Sequence, residues 1–133
     1  VLPETGPYPG RTARWVGAEP DIGSAARGAA AGFYLALVTA ECLSLIGHRG
    51  TIVVEGPFAR NTAYHQMLHA ATGAPVEMSE SATGTSQGAA LLAGDQRVTG
   101  AHTGAGSTPD STMLDRMERY ARRWRAATAQ PAP

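Results

Sequence analysis

Apolar positions along this chain change period several times, and each change marks an element. From Ser24 to Ile46 small and apolar residues nearly surround a helical wheel. Phe33, Leu37, Ala40 and Ile46 mark one face, with Tyr34, Val38 and Leu45 beside it. Such a helix is expected to be buried on more than one side. Ser24 suits its N-cap and Gly47 its stop. Gly28 and Gly32 weaken it locally and let another element come close. Cys42 within it reads as a small buried apolar side chain rather than a reactive thiol.

Thr51-Ile52-Val53-Val54 is β-branched and bounded by Gly50 and Gly56, the pattern of a short, fully buried strand. A second helix is expected from about Asn61 to Thr72, stopped by Gly73, with Ala63, Met67, Leu68 and Ala71 facing the core. Pro75-Val76-Glu77-Met78 reads as another strand with proline at its first position. A helix rich in small residues follows over about Thr85 to Ala93, then a Gly- and Thr-rich loop over 94–107. In the last helix Thr108 is expected to cap, Pro109 to take the first helical position, and Asp110 to complement the dipole. Met113, Met117, Tyr120 and Trp124 step along one face, flanked by Leu114 and Ala121. Arg116, Arg119, Arg122, Arg123 and Arg125 are expected to form a solvated face.

Residues 1–23 form an extended Pro/Gly-rich segment expected to lie across a neighbouring surface, with Arg14-Trp15-Val16 as one short strand. Residues 129–133 read as a frayed tail. The order helix, strand, helix, strand, helix, helix is α/β, with short strands and long buried helices. So few strands do not close a sheet, and the chain reads as part of a larger domain.

Composition narrows the chemistry. The chain has 133 residues, and its eleven basic residues, all Arg, balance eleven acidic ones. Neutrality argues against bulk binding to nucleic acid or to an anionic membrane. The absence of Lys excludes Schiff-base lysine chemistry and a Lys-dependent phosphate loop. The lone Cys42 excludes an intrachain disulfide and a CxxC pair, and suits a reducing compartment. No unbroken apolar run reaches membrane-spanning length, and no secretory leader is visible. The chain starts at Val1, as a processed or partial sequence would.

Three motifs carry little. Leu2-Pro3-Glu4-Thr5-Gly6 matches a sortase pentapeptide but opens the chain rather than closing it. His65 and His69 share a helix face, yet Gln66 stands where a zinc protease needs Glu, and no third ligand is evident; no metal site is expected. His48 and His102 fall in loops and carry no signal. Gly84-Thr85-Ser86-Gln87-Gly88 has the spacing of a nucleophile elbow, but no apolar strand leads into Ser86 and no His–acid pair is placed downstream, so an esterase is disfavoured.

The remaining feature is Ile52-Val53-Val54-Glu55-Gly56-Pro57-Phe58-Ala59-Arg60-Asn61, a strand running through a glycine turn into a helix. Such passages offer unpaired backbone N–H groups to a nucleotide or another polar ligand. Together with Gly73-Ala74-Pro75-Val76 and Thr83-Gly84-Thr85-Ser86-Gln87-Gly88-Ala89-Ala90-Leu91-Leu92-Ala93, this passage resembles the C-terminal domain of the FGGY family of carbohydrate kinases. The long helix with Tyr34-Leu35-Ala36-Leu37 matches in place, and the resemblance covers about residues 25–95.

The resemblance implies a partial ribonuclease H-like (actin-like ATPase) domain. Residues 24–128 would be the C-terminal part of the kinase nucleotide-binding domain, holding the adenosine of ATP or ADP. By position, Gly56, Pro57, Phe58 and Asn61 would form the nucleotide site, with Asn61 contacting the base or supporting the turn. Pro57 stands where the family has a second glycine, and Phe58 where it has Gly or Ala. Phe58 would either stack on adenine or fill the groove. Thr83 replaces the Glu that usually opens the later helix. No catalytic residue is expected in this chain. The acidic base, the sugar contacts, the phosphate loops and most of the Mg²⁺ coordination would come from the preceding part of a cytoplasmic parent. That parent would transfer the ATP γ-phosphate to a sugar hydroxyl. A homo-oligomer of the parent stays open, because the Met113/Tyr120/Trp124 face could close its core or meet another subunit. The alternative is a non-catalytic interaction module that kept the fold and lost the nucleotide.

Overall fold

The computed structural model describes residues 8–79, 89, 92–93 and 103–129. Among them are helices α1 (Ala25–Leu45), α2 (Thr62–Thr72) and α3 (Ser111–Ala129) and strands β1 (Ile52–Val54), β2 (Val76–Ser79) and β3 (Thr103–Ala105). A 3₁₀ helix, Gly56–Arg60, joins β1 to α2. The sheet order is β1-β2-β3. β1 pairs parallel to β2 with Ile52 opposite Val76, and β2 pairs antiparallel to β3 with Met78 opposite Gly104.

The sequence encodes the two leading helices through their caps. Ser24 Oγ accepts the Arg27 N–H at 3.2 Å, and Gly73, in the left-handed region, ends α2. α2 is the middle helix, packed against α1 and α3 and touching β2. The core joins Ala36, Leu37 and Ala40 of α1, Ile52 and Val54 of β1, Tyr64, Met67 and Leu68 of α2, and Met117, Ala121 and Trp124 of α3. One ion pair ties all three helices. Arg125 of α3 donates from Nε to Glu41 of α1 and from a terminal nitrogen to the Ala71 carbonyl of α2.

Several expectations are corrected. α1 is buried on one side only: Leu45 and Ile46 are exposed, and so is Cys42. The reason is length. The 21 residues of α1 outrun the 11 of α2, and among the described residues only one side of its last turns, through Ala40, Glu41 and Leu43, meets the rest of the fold. Gly32 faces Asn61 and Ala63 of α2, as a close approach requires, whereas Gly28 faces open space. By length and composition α1 could cross a membrane, despite lacking an unbroken apolar run; here Ala36, Leu37 and Ala40 turn one side of it into core.

Strand β1 is not fully buried. Ile52 and Val54 point inward while Val53 is 49% exposed, the ordinary alternation of a strand with one covered face. Pro75 precedes β2, and its carbonyl accepts the Ile52 N–H. β3 lies where a loop was expected, because pairing with β2 supplies what Thr103-Gly104-Ala105 lacks in propensity. Asp110, not Thr108, caps α3: its side chain accepts the Met113 N–H at 2.9 Å, which leaves Pro109 before the helix. The buried stripe of α3 runs through Met117, Ala121, Trp124 and Thr128. Met113 and Tyr120 stand at its exposed margin, and Arg125 leaves the solvated face for the Glu41 pair.

The segment over 8–23 has neither strand nor helix, so Arg14-Trp15-Val16 is not a strand. It does lie on its neighbours. Tyr8 meets the Trp124 ring edge-on at 5.6 Å, Arg11 donates to the Thr128 carbonyl, and the Arg27 guanidinium sits over the Trp15 ring. The pentapeptide at 2–6, Ser86 and His102 lie outside the described residues. Of the stretch read as a small-residue helix, Ala89, Leu92 and Ala93 are described and helical.

Candidate functional site

The passage from β1 to α2 is built almost entirely from local chemistry. Glu55 is extended, and Gly56 then turns to φ 72°. A residue with a Cβ would pay about 1–2 kcal/mol in that conformation. Nothing lies within 4 Å of where such a Cβ would point, so Gly56 borders open space. Pro57 falls in the first turn of the 3₁₀ helix, where a missing N–H leaves no bond unmade. Asn61 both closes the 3₁₀ turn and opens α2. Its N–H donates to the Phe58 carbonyl at 3.0 Å, and its Oδ1 accepts the Tyr64 N–H at 3.0 Å. Gly56, Pro57, Phe58 and Asn61 are therefore neighbours in one short turn.

Phe58 sits half in and half out. One side of its ring rests on Tyr64, with centroids 5.2 Å apart, while the side chain keeps 41% of its exposure. Tyr64 is itself buried and donates from its hydroxyl to Thr39 of α1 at 3.1 Å. The turn thus has an aromatic floor anchored to a second helix. Sequence reading missed Tyr64 and His65 as part of this floor. Tyr64 stands four residues before Leu68, a helical spacing that points it inward; the partner of His65 is a main-chain carbonyl, which no side-chain pattern reveals.

The two α2 histidines do not converge. The Phe58 carbonyl accepts from His65 Nε2 at 3.0 Å, and the Ala74 carbonyl from His69 Nδ1 at 2.8 Å. Their common face resolves into two separate main-chain contacts. Among the described residues no three His, Cys, Asp or Glu side chains gather around a metal-sized point. Among the described residues, cavities lie elsewhere. One of about 480 Å³ opens between the ends of α1 and α2 beside Arg125, and one of about 290 Å³ lies against β3 and His69.

A mixed sheet with packed helices, and a glycine turn feeding a capped helix, define an α/β domain with an open strand-to-helix passage. Comparison with known proteins assigns it. Residues 1–102 match the family model for the carbohydrate kinase FGGY, C-terminal domain, and the chain belongs to that family. A solved structure, a carbohydrate kinase from Novosphingobium aromaticivorans, is similar over 92% of this chain at 29% identity, with a TM-score of 0.74. The family match stops before α3, but the structural match reaches into it, because the uncovered remainder is shorter than that helix. The chain spans 26% of the length of that kinase. Among curated proteins, none matches the chain.

Proposed function

We propose that this chain is the adenosine-binding part of an ATP-dependent sugar kinase with an actin-like ATPase fold. The observation that carries the reading is the open turn at Gly56–Asn61, set between β1 and α2 in a chain of the FGGY family. Gly56 presents bare backbone to open space, and Phe58 presents a half-exposed ring beside it. A purine fits such a place: backbone on one side, an aromatic face on the other. Phe58 packs on Tyr64 at a tilt of 47° and keeps 41% of its exposure, so ring surface remains to stack on adenine.

The chain's own residues bind and orient; they do not perform the transfer. Gly56 lets the nucleoside approach the main chain, and Asn61 holds the turn in shape by its two hydrogen bonds. Phosphoryl transfer depends on placing ATP, Mg²⁺, a base and the acceptor hydroxyl together. In this reading the base, the sugar contacts and the Mg²⁺ ligands lie in the rest of a cytoplasmic parent kinase, which also covers the exposed apolar side of α1 around Leu35 and Leu45.

Calorimetric titration of the purified protein with ADP and ATP, with and without Mg²⁺, tests this. Binding of either nucleotide, weakened by Asn61→Ala, is expected. A folded protein that binds neither nucleotide, even in its longest natural form, would show that the fold has been kept for another purpose.

A further inference from the structure

His65 is the most deeply buried polar side chain near the turn, 1% exposed. Its Nε2 faces the Phe58 carbonyl at 3.0 Å. A carbonyl only accepts, so Nε2 carries the proton and donates. The same carbonyl also accepts the Asn61 N–H, so Phe58 O is held from two directions. The opposite ring nitrogen, Nδ1, is buried and has no hydrogen-bond partner among the described residues. It lies against Gly106, 3.2 Å from where a Cβ on that residue would be. Gly106 in turn donates its N–H to the Val76 carbonyl, which fastens the β3–α3 connection to β2. The imidazole is therefore wedged between the 3₁₀ turn on one side and the β3–α3 connection on the other.

A buried polar atom with no partner costs stability, so some gain elsewhere must keep histidine at this position. An apolar residue of similar size would fill the same space without that cost. What it could not do is donate to Phe58 O. We infer that His65 is a positioning residue for the nucleotide turn: it holds the Phe58 carbonyl, and through it the aromatic ring and the Gly56 backbone, in the binding arrangement before the ligand arrives. This inference rests on the adenosine reading above. A turn fixed beforehand spares the ligand the cost of ordering it, so the effect appears in affinity rather than in contact with the ligand.

The test is ADP titration of the wild-type protein, as its gene encodes it, beside His65→Gln and His65→Met. A glutamine amide can donate from about the same reach, whereas methionine fills the space without a donor. His65→Met is expected to weaken ADP by about ten-fold, the order of one lost hydrogen bond, while His65→Gln stays within about three-fold of wild type. Equal affinity of wild type and His65→Met overturns the positioning role and leaves adenosine binding standing. Equal loss in both variants also overturns it, since the effect would then be packing. A folded wild type that binds no ADP overturns both readings. If His65→Met does not fold, side-chain ¹⁵N spectra of the wild type decide. The His65 resonance is expected to report an Nε2–H ring and to move on ADP addition more than that of His69; a His65 resonance that ADP leaves unmoved contradicts the inference.

Discussion

Among the described residues, two unbroken passages run from a strand into a helix, and they are built on opposite principles. From β1 to α2 the chain goes through Gly56, a 3₁₀ turn and Asn61; from β3 to α3 it goes through Gly106, a short irregular connection and Asp110. Both helices start on a side chain that accepts an N–H three residues on, Tyr64 for Asn61 and Met113 for Asp110. The glycines differ. Gly56 is needed for its positive φ and faces open space. Gly106 is needed because a Cβ there would lie 2.3 Å from the Val76 carbonyl oxygen. One passage leaves room outward, as a ligand site must; the other uses its room to pack inward. His65 sits between them and touches both.

Substitutions can break this comparison, and the largest effect belongs to the inward glycine. Gly106→Ala forces a backbone carbonyl to move in a packed region, and is expected to destabilise by about 3 kcal/mol or more. Urea denaturation measures it, and a change within experimental error would show that the close contact relaxes freely. Gly56→Ala should cost less, about 1–2 kcal/mol from its φ alone, since nothing stands in the way of the methyl group. That variant should also weaken ADP directly, whereas Gly106→Ala reaches the turn only indirectly, through His65 Nδ1 at 3.2 Å from the added Cβ or by unfolding the protein.

The caps sharpen the contrast. Asn61→Ala and Asp110→Ala are each expected to cost about 1 kcal/mol in thermal or urea unfolding. They should match in stability and differ in function: the Asn61 variant loses nucleotide affinity, and the Asp110 variant keeps it. Equal effects on ADP would remove the distinction between the two passages.

The smallest effect is a pH dependence outside both. Burial raises the phenols of Tyr8 and Tyr120 above their ordinary value of 10.0. The folded state then holds its protons at a pH where the unfolded chain has released them. Stability from this source is complete below pH 10.0 and is lost as pH climbs from there through the raised folded values. Alkaline unfolding of Tyr8→Phe with Tyr120→Phe should show a flatter decline than wild type.

Much of the first passage was legible in the sequence and little of the second. Local signals set β1, the glycine turn and α2, because Ile52-Val53-Val54, Gly56, Asn61 and Gly73 each act within a few residues. β3 was not legible. Thr103-Gly104-Ala105 has weak strand propensity and becomes a strand only by pairing with β2, far away in sequence. Thr108 and Asp110 both suit a cap, and only the three-dimensional start of α3 selects Asp110. The outward face of α1 misled because an apolar pattern does not say what packs on it: Leu35, Leu45 and Ile46 stay exposed while Ala36, Leu37 and Ala40 are buried. His65 read as half of a weak metal motif, since its partner, a main-chain carbonyl, is invisible to residue spacing.

The most direct test of adenosine binding at the outward passage is a backbone amide chemical-shift map during ADP addition. Saturable shifts are expected to concentrate at Gly56, Phe58, Ala59 and Asn61, while Gly106 and the start of α3 from Asp110 to Met113 stay still. Shifts centred on the second passage, on the cavity beside Arg125, or nowhere in the folded protein would contradict it.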